Sequence, residues 1–182
     1  VTGPPETAVP EASAHFFPPR VLVPYVAGYL RQETQDAMAT CGQRVEWYPI
    51  DAGDPFSYAR WLQTMWNTGG DLIITEHDMV PTAVHVRRLL ACEAEWCGHP
   101  YHVGEGRYAT GLGFCKFSHN LMRRRPLAAQ HAAQSPRTGG GLMPWQGLNE
   151  SIERALTRAG EKMHVHEGAI PHLHYPEPQH AG

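Results

Sequence analysis

The stretch DLIITEHDMVP (71–81) concentrates the chemistry of the chain. Four apolar or β-branched residues, 72–75, run into Glu76-His77-Asp78 and stop at Pro81. Side chains two apart on an extended strand share a face, so Glu76 and Asp78 are expected to converge while His77 turns away. Two carboxylates at a strand end make a hard-oxygen site, suited to Mg²⁺ or Mn²⁺ carrying phosphate oxygens. Without a cation such a pair repels, and one member takes up a proton. The same spacing also fits two solvated acids at a loop start, with Asp78 capping a helix that begins at Pro81.

A second constellation lies near the C-terminal end. The chain holds 12 histidines, and five of them follow residue 163. MHVHEGAIPHLH (163–174) sets two His-x-His pairs eight residues apart, His164/His166 and His172/His174. In extended backbone each pair shares a face, and neutral imidazole is a common ligand for Mn²⁺ and other transition ions. A tail histidine can then complete a coordination sphere begun by Asp78. The alternative is a histidine-rich surface tail. Cys92 and Cys97 form a C-x4-C pair with His99 and Cys115 nearby. That spacing is looser than a zinc knuckle, and buried free thiols are the favoured reading.

The elements that must position these residues alternate. A strand over 20–28 precedes a helix over 30–41, closed by Gly42. A strand over 44–50 precedes a helix with Asp54 as N-cap and Pro55 in its first position, ending near 67–70. The third strand is 71–78. Strand–helix alternation of this length predicts a parallel sheet with right-handed crossovers, whose ligands sit outside the carboxyl ends of the strands. A helix over 82–96, two strands around a glycine turn (100–106 and 107–118), a mobile loop or lid over 126–144, a helix over 145–160 and a strand over 162–168 follow. The expected organisation is a lead-in over 1–19, one α/β domain over 20–175 and a tail over 176–182, with residues 169–182 irregular.

Bulk properties exclude several classes. A chain of 182 residues suits a single domain. The net charge of −3 is no footprint for tight non-specific nucleic-acid binding, although Lys116, Arg123–Arg125 and Arg137 form a local basic set. No run of about 18 apolar residues predicts a membrane-spanning helix. The N-terminal stretch lacks the basic start and apolar run of a signal peptide. Four cysteines are too few for a disulfide scaffold, so a reducing, cytoplasmic setting is expected.

YARWLQTMWNTGGDLIITEHD (58–78) resembles the segment of GT-A glycosyltransferases in which a helix carrying an arginine leads through a Gly-Asp turn into a strand ending in a DXD motif. Here Glu76-His77-Asp78 stands for that motif, with Glu in its first position. CEAEWCGHPYHVGEGRYATGLGFCKFS (92–118) and HVHEGAIPHLH (164–174) resemble more specifically the small, phage-type glycosyltransferases associated with enzymes that hydroxylate DNA bases. The resemblance spans about residues 20–175 and implies a single GT-A-like domain, its mostly parallel central sheet flanked by helices. It also implies a nucleotide-sugar donor, most simply a UDP-sugar, and Mn²⁺ or Mg²⁺. Asp78 matches the usual metal ligand, and Glu76 the acid that contacts the ribose or the metal. His174 or His172 matches the late metal-binding histidine, and Arg60 the helix arginine that contacts the nucleotide. Tyr25 lies in the matching base-binding loop, and Asp51 matches an acid that reads base or ribose. An inverting enzyme needs a carboxylate base for the acceptor hydroxyl. Glu150 is the candidate, although a first-turn acid favoured by the helix dipole has the same appearance. Trp145 is either a wall of the acceptor pocket or a core anchor.

The expected reaction is transfer of a sugar to a hydroxyl. On the resemblance, the favoured acceptor is a 5-hydroxymethylpyrimidine, hydroxymethylcytosine, in phage DNA within an infected host's cytoplasm. A protein or glycan hydroxyl is the alternative acceptor. A non-catalytic module whose histidines hold zinc, or which binds a nucleotide, is the alternative of a different class.

Overall fold

Three consecutive strands share one pattern: apolar or β-branched residues, each run closed by a turn. In the computed structural model, which describes residues 18–103, 106–130 and 146–173, they are β1 (Arg20–Val26), β2 (Val45–Ile50) and β3 (Leu72–Thr75). Both β2 and β3 pair parallel with β1, so the order β2-β1-β3 reverses the direction of winding at β1. All four residues of β3 are fully buried, as expected of a central strand covered on both faces.

Alternation sorts the side chains into two cores. Leu22, Leu72 and Ile74 face one side, with Tyr58, Leu62 and Trp66 of α2 (Ser57–Trp66) packed on them. Leu148, Ile152 and Leu156 of α5 (Gln146–Arg158), and Leu121 and Met122 of α4 (His119–Arg124), complete that layer. Val21, Val23 and Ile73 face the other side, against Met38 of α1 (Gln32–Ala39) and Val86 and Leu89 of α3 (Ala83–Ala91). The result is a three-layer α/β fold.

The sheet continues as β3-β7-β4-β8, with β4 (Trp96–Gly98), β7 (Phe114–Phe117) and β8 (His164–Val165). β7 runs antiparallel to both its neighbours, while β8 is parallel to β4. Six strands thus form a mixed, mostly parallel sheet. A separate ribbon pairs β5 (Tyr101–His102) with β6 (Tyr108–Ala109).

Several boundaries differ from the sequence expectation, and α4 was not expected. The helix expected over 82–96 ends at Ala91, and Trp96–Gly98 forms β4 instead. Cys92 leaves helical geometry at ψ 124°, and Trp96 then stacks on Phe117, with ring centroids 6.3 Å apart. Asp54 does not cap α2. Its carboxylate accepts the Phe56 amide at 2.9 Å in a turn, and the helix begins at Ser57. Residues 170–173, expected to be irregular, are pinned to the body by backbone hydrogen bonds: Ile170 N–H to Pro100 O, Val80 N–H to Pro171 O, and Leu173 N–H to Asp78 O. Residues 1–17 of the lead-in, residues 131–144 of the expected loop with Arg137, Trp145 at the expected start of the next helix, and the chain from His174 onward lie outside the described residues.

α5 fastens the loop before β7. Asn149 Nδ2 donates to Thr110 O, and its Oδ1 accepts the Leu112 amide, both at 2.9 Å. Gly111 between them has φ +120°, and a Cβ there would collide with the Asn149 side chain. Asn149→Ala strands a partly buried amide and a carbonyl. The expected loss, read from urea unfolding, is about 1–3 kcal/mol. An unchanged midpoint would contradict this role.

Candidate active site

Tyr25, Asp51 and Glu76 stand at or just beyond the carboxyl ends of β1, β2 and β3, where an open α/β sheet binds its ligands. β3 ends at Thr75, so Glu76-His77-Asp78 is a turn and not extended strand: the Met79 amide donates to Glu76 O at 3.1 Å. The Glu76 amide donates to Gly113 O at 2.9 Å, which ties the turn to the loop that Asn149 holds. Gly113 has no room for a side chain, since a Cβ would stand 2.6 Å from Tyr101 and 2.7 Å from Met79.

His77 and Asp78 are 8% and 9% exposed, so they are not solvated loop residues. Nor does Asp78 cap α3. Thr82 is the N-cap, and its amide donates to His85 Nδ1 at 3.1 Å. Asp78 instead meets His172, whose Nε2 lies 3.1 Å from Asp78 Oδ2. Met79 and His172 form an antiparallel bridge, so the pinned 170–173 segment delivers this histidine to the turn.

The imidazole's protonation follows from its partners. His172 Nδ1 lies 2.9 Å from the His102 carbonyl, which can only accept, so Nδ1 carries a hydrogen. In the neutral ring Nε2 is then a lone pair facing a carboxylate. Two acceptors at that distance require a proton or a cation between them. Burial alone would lower the His172 pKa, but the Asp78 hydrogen bond and charge outweigh it and raise the value. Asp78 Oδ1 is buried with no hydrogen-bond partner among the described residues. Burial, then the Asp78 charge, pushes Glu76 up to about 7 despite the hydrogen bond it accepts from Tyr58 at 3.0 Å. Burial also raises the hydroxyls of Tyr58 and Tyr101, and it lowers His77.

The donor set fits a hard or borderline divalent ion: a carboxylate with an orphaned oxygen, and an imidazole whose other nitrogen is anchored on a carbonyl. Among the described residues no third His, Cys, Asp or Glu joins Asp78 and His172 in a three-ligand cluster. Glu76, expected to contact the ribose or the metal, accepts a hydrogen bond from Tyr58 on Oε1. Two protein ligands suit an ion that takes its other positions from phosphate oxygens and water.

The other expected residues sit around this corner with partners of their own. Tyr25 is half-buried and edge-on to Trp47, ring centroids 6.4 Å apart. Asp51 is exposed, its Oδ1 accepting the Gly53 amide at 2.8 Å. Arg60 is exposed and paired with Asp54. Glu150 is exposed, just past the first turn of α5 and 3.9 Å from Arg154. Tyr58, Tyr101 and His102 were not singled out in the sequence, where a tyrosine on an amphipathic helix reads as core. The expected basic stretch is mostly consumed internally. Lys116 is 4% exposed and donates to the Cys92 carbonyl. Arg124 pairs with Glu95 and Glu161, and Arg125 with Glu161.

No protein-family model matches the chain, and no curated protein matches its sequence. Solved structures do match its fold. The A197 protein from STIV is 11% identical with TM-score 0.53, covering 81% of this chain and 82% of that one. 4-Diphosphocytidyl-2C-methyl-D-erythritol synthase from Anaerococcus prevotii is 6% identical with TM-score 0.52, covering 82% and 89%. A glycosyltransferase involved in glycosylation of the major capsid of PBCV-1 is 7% identical, with TM-score 0.49 and 81% of each chain covered. At these identities the likeness is one of fold: a GT-A-like α/β domain with a mixed, mostly parallel six-stranded sheet.

Raised pKa values at Glu76 and His172 have a measurable consequence. The folded chain holds these protons more tightly than the unfolded one, so their contribution to stability is full below their ordinary values of 4.5 and 6.5. It is lost as pH rises through about 7, the value for Glu76. Without divalent cations, the melting temperature is expected to fall between about pH 4.5 and 7, and Glu76→Gln to flatten that fall. An equal slope in the variant would contradict the assignment.

Proposed function

We propose that the chain is a divalent-metal-dependent glycosyltransferase using a nucleotide-sugar donor, most simply a UDP-sugar. The observation that carries this reading is the contact of His172 Nε2 with Asp78 Oδ2, 3.1 Å away, at the carboxyl end of a GT-A-like sheet. Asp78 and His172 would hold Mn²⁺ or Mg²⁺. A cation bound there neutralises charge on the leaving diphosphate, the largest electrostatic task in the reaction.

The chain's own residues supply the rest. Tyr25 stacks on the base and Asp51 binds the ribose, both from the rim formed by β1 and β2. Arg60 reaches the nucleotide by exchanging its Asp54 partner for phosphate. Glu76, held by Tyr58, fixes the turn that aims Asp78. The acceptor oxygen bonds to the anomeric carbon as the carbon–oxygen bond to the diphosphate breaks, and Glu150 takes the hydroxyl proton. His174, the other histidine matched by the resemblance, lies outside the described residues.

The favoured acceptor, on the resemblance, is hydroxymethylcytosine in phage DNA, which must be turned out of the stack to be reached. A protein or glycan hydroxyl is the second reading. The internal ion pairs of Arg124 and Arg125, which remove charge from a DNA footprint, favour it.

Incubation with UDP-sugars, Mn²⁺ and these acceptors is expected to release nucleoside diphosphate and to label one acceptor class. Asp78→Asn and His172→Ala should each lower turnover by about 100-fold or more, with the circular-dichroism spectrum retained. Undiminished turnover in either variant would refute the metal assignment. Release of pyrophosphate from a nucleoside triphosphate, with no diphosphate from any nucleotide sugar, would replace sugar transfer by nucleotidyl transfer.

A further inference from the structure

On the opposite half of the sheet, four imidazoles lie in a row. Ring centroids are 4.9 Å apart for His85–His99, 4.9 Å for His99–His166 and 4.6 Å for His166–His164. The sheet register explains the crowding. Cys97 of β4 is paired with His164 of β8, so Cys97 and His99 share a face with His164 and His166. Cys92, at the end of α3, lies over the same face. Its sulfur and one ring nitrogen each from His164 and His166 all lie within 4.8 Å of one another.

We propose that Cys92, His164 and His166 form a second metal site, selective for zinc, that fastens the edge strand β8 to the end of α3. The donors are a thiol and two imidazoles with no carboxylate, the set that soft and borderline ions prefer over Mg²⁺ or Mn²⁺. By ordinary zinc bond lengths, tetrahedral ligand atoms stand about 3.3–3.6 Å apart, so modest side-chain rotation closes the triad. His164 is exposed and free to make that adjustment.

A second observation points the same way. His166 Nε2 and His99 Nε2 are both buried with no hydrogen-bond partner among the described residues, and His99 is fully buried. His99 Nδ1 lies 3.0 Å from the Gly168 carbonyl, so its Nε2 is a lone pair within the stack. Burying such nitrogens unpaired is costly, and a metal satisfies them. Two cations flank the cluster: Lys116 on the Cys92 carbonyl, and Arg88 on the Glu167 carbonyl at 3.1 Å. Metal binding there would displace the Cys92 thiol proton.

The site is independent of the reading proposed for Asp78. Its role is mechanical. β8 is a two-residue exposed edge strand, and the chain from it leads to His172. A clamp at His164 and His166 fixes where that chain starts.

The test is titration of the metal-free full-length chain with Co²⁺, which reports thiolate coordination by a near-ultraviolet charge-transfer band. The expected result is such a band, displaced by Zn²⁺, lost in Cys92→Ser, and requiring at least about 10-fold more Co²⁺ in His164→Ala. Asp78→Asn should retain it, which separates this site from the Asp78 corner. Absence of the band in the parent chain, or its survival in Cys92→Ser, overturns the proposal. Because His164 is exposed, its variant keeps the test valid should Cys92→Ser fail to fold: unchanged Co²⁺ affinity there is equally fatal.

Discussion

A carboxylate and the lone pair of an imidazole, facing each other in a buried corner, need a positive charge between them. This constraint organises the molecule. The His102 carbonyl fixes the hydrogen of His172 on Nδ1, and Asp78 receives the other nitrogen. Glu76 adds a second acid, already pushed towards neutrality by burial and by Asp78. At an effective dielectric near 20, unit charges about 4 Å apart interact by about 4 kcal/mol, so the occupant of this corner decides its stability and its chemistry.

The scaffold can be understood as what brings these groups together. β3 must be covered on both faces to bury the turn that follows it. The loop before β7 must approach closely enough for Gly113 O to accept the Glu76 amide, which its missing side chain permits. Asn149 holds that loop from α5. The 170–173 segment then returns across the sheet to add its backbone to residues 78–80. Asp78 and His172 are 94 residues apart in the chain, and their meeting depends on every one of these contacts.

The first half of the fold was legible because each element there carries its own local signal. Leu72-Ile73-Ile74-Thr75 is a strand by its residue types, and the helices around it have apolar faces. Boundaries set by tertiary packing were not legible. β4 is three residues long and exists because Trp96 and Cys97 bury on opposite faces. Asp54-Pro55 has the residues of a helix start, yet a turn takes Asp54 first. At the site, Asp78 and His172 could be named from residue type and spacing. Tyr58 and His102 could not, since a core tyrosine and a backbone carbonyl leave no mark in a sequence. The register that stacks four histidines beside Cys92 is likewise a product of β8 pairing with β4, which no local pattern encodes.

On the proposed function, the Asp78–His172 corner receives a divalent cation together with a nucleoside diphosphate. The most direct measurement is a thermal-shift comparison of uridine and guanosine diphosphates with and without Mn²⁺, since a ligand that binds only the native state raises its melting temperature. With two protein ligands for the ion among the described residues, a shift is expected when Mn²⁺ and one diphosphate are added together, and little with either alone. A full shift with the nucleotide in the absence of any divalent ion, or none with any combination, would contradict it.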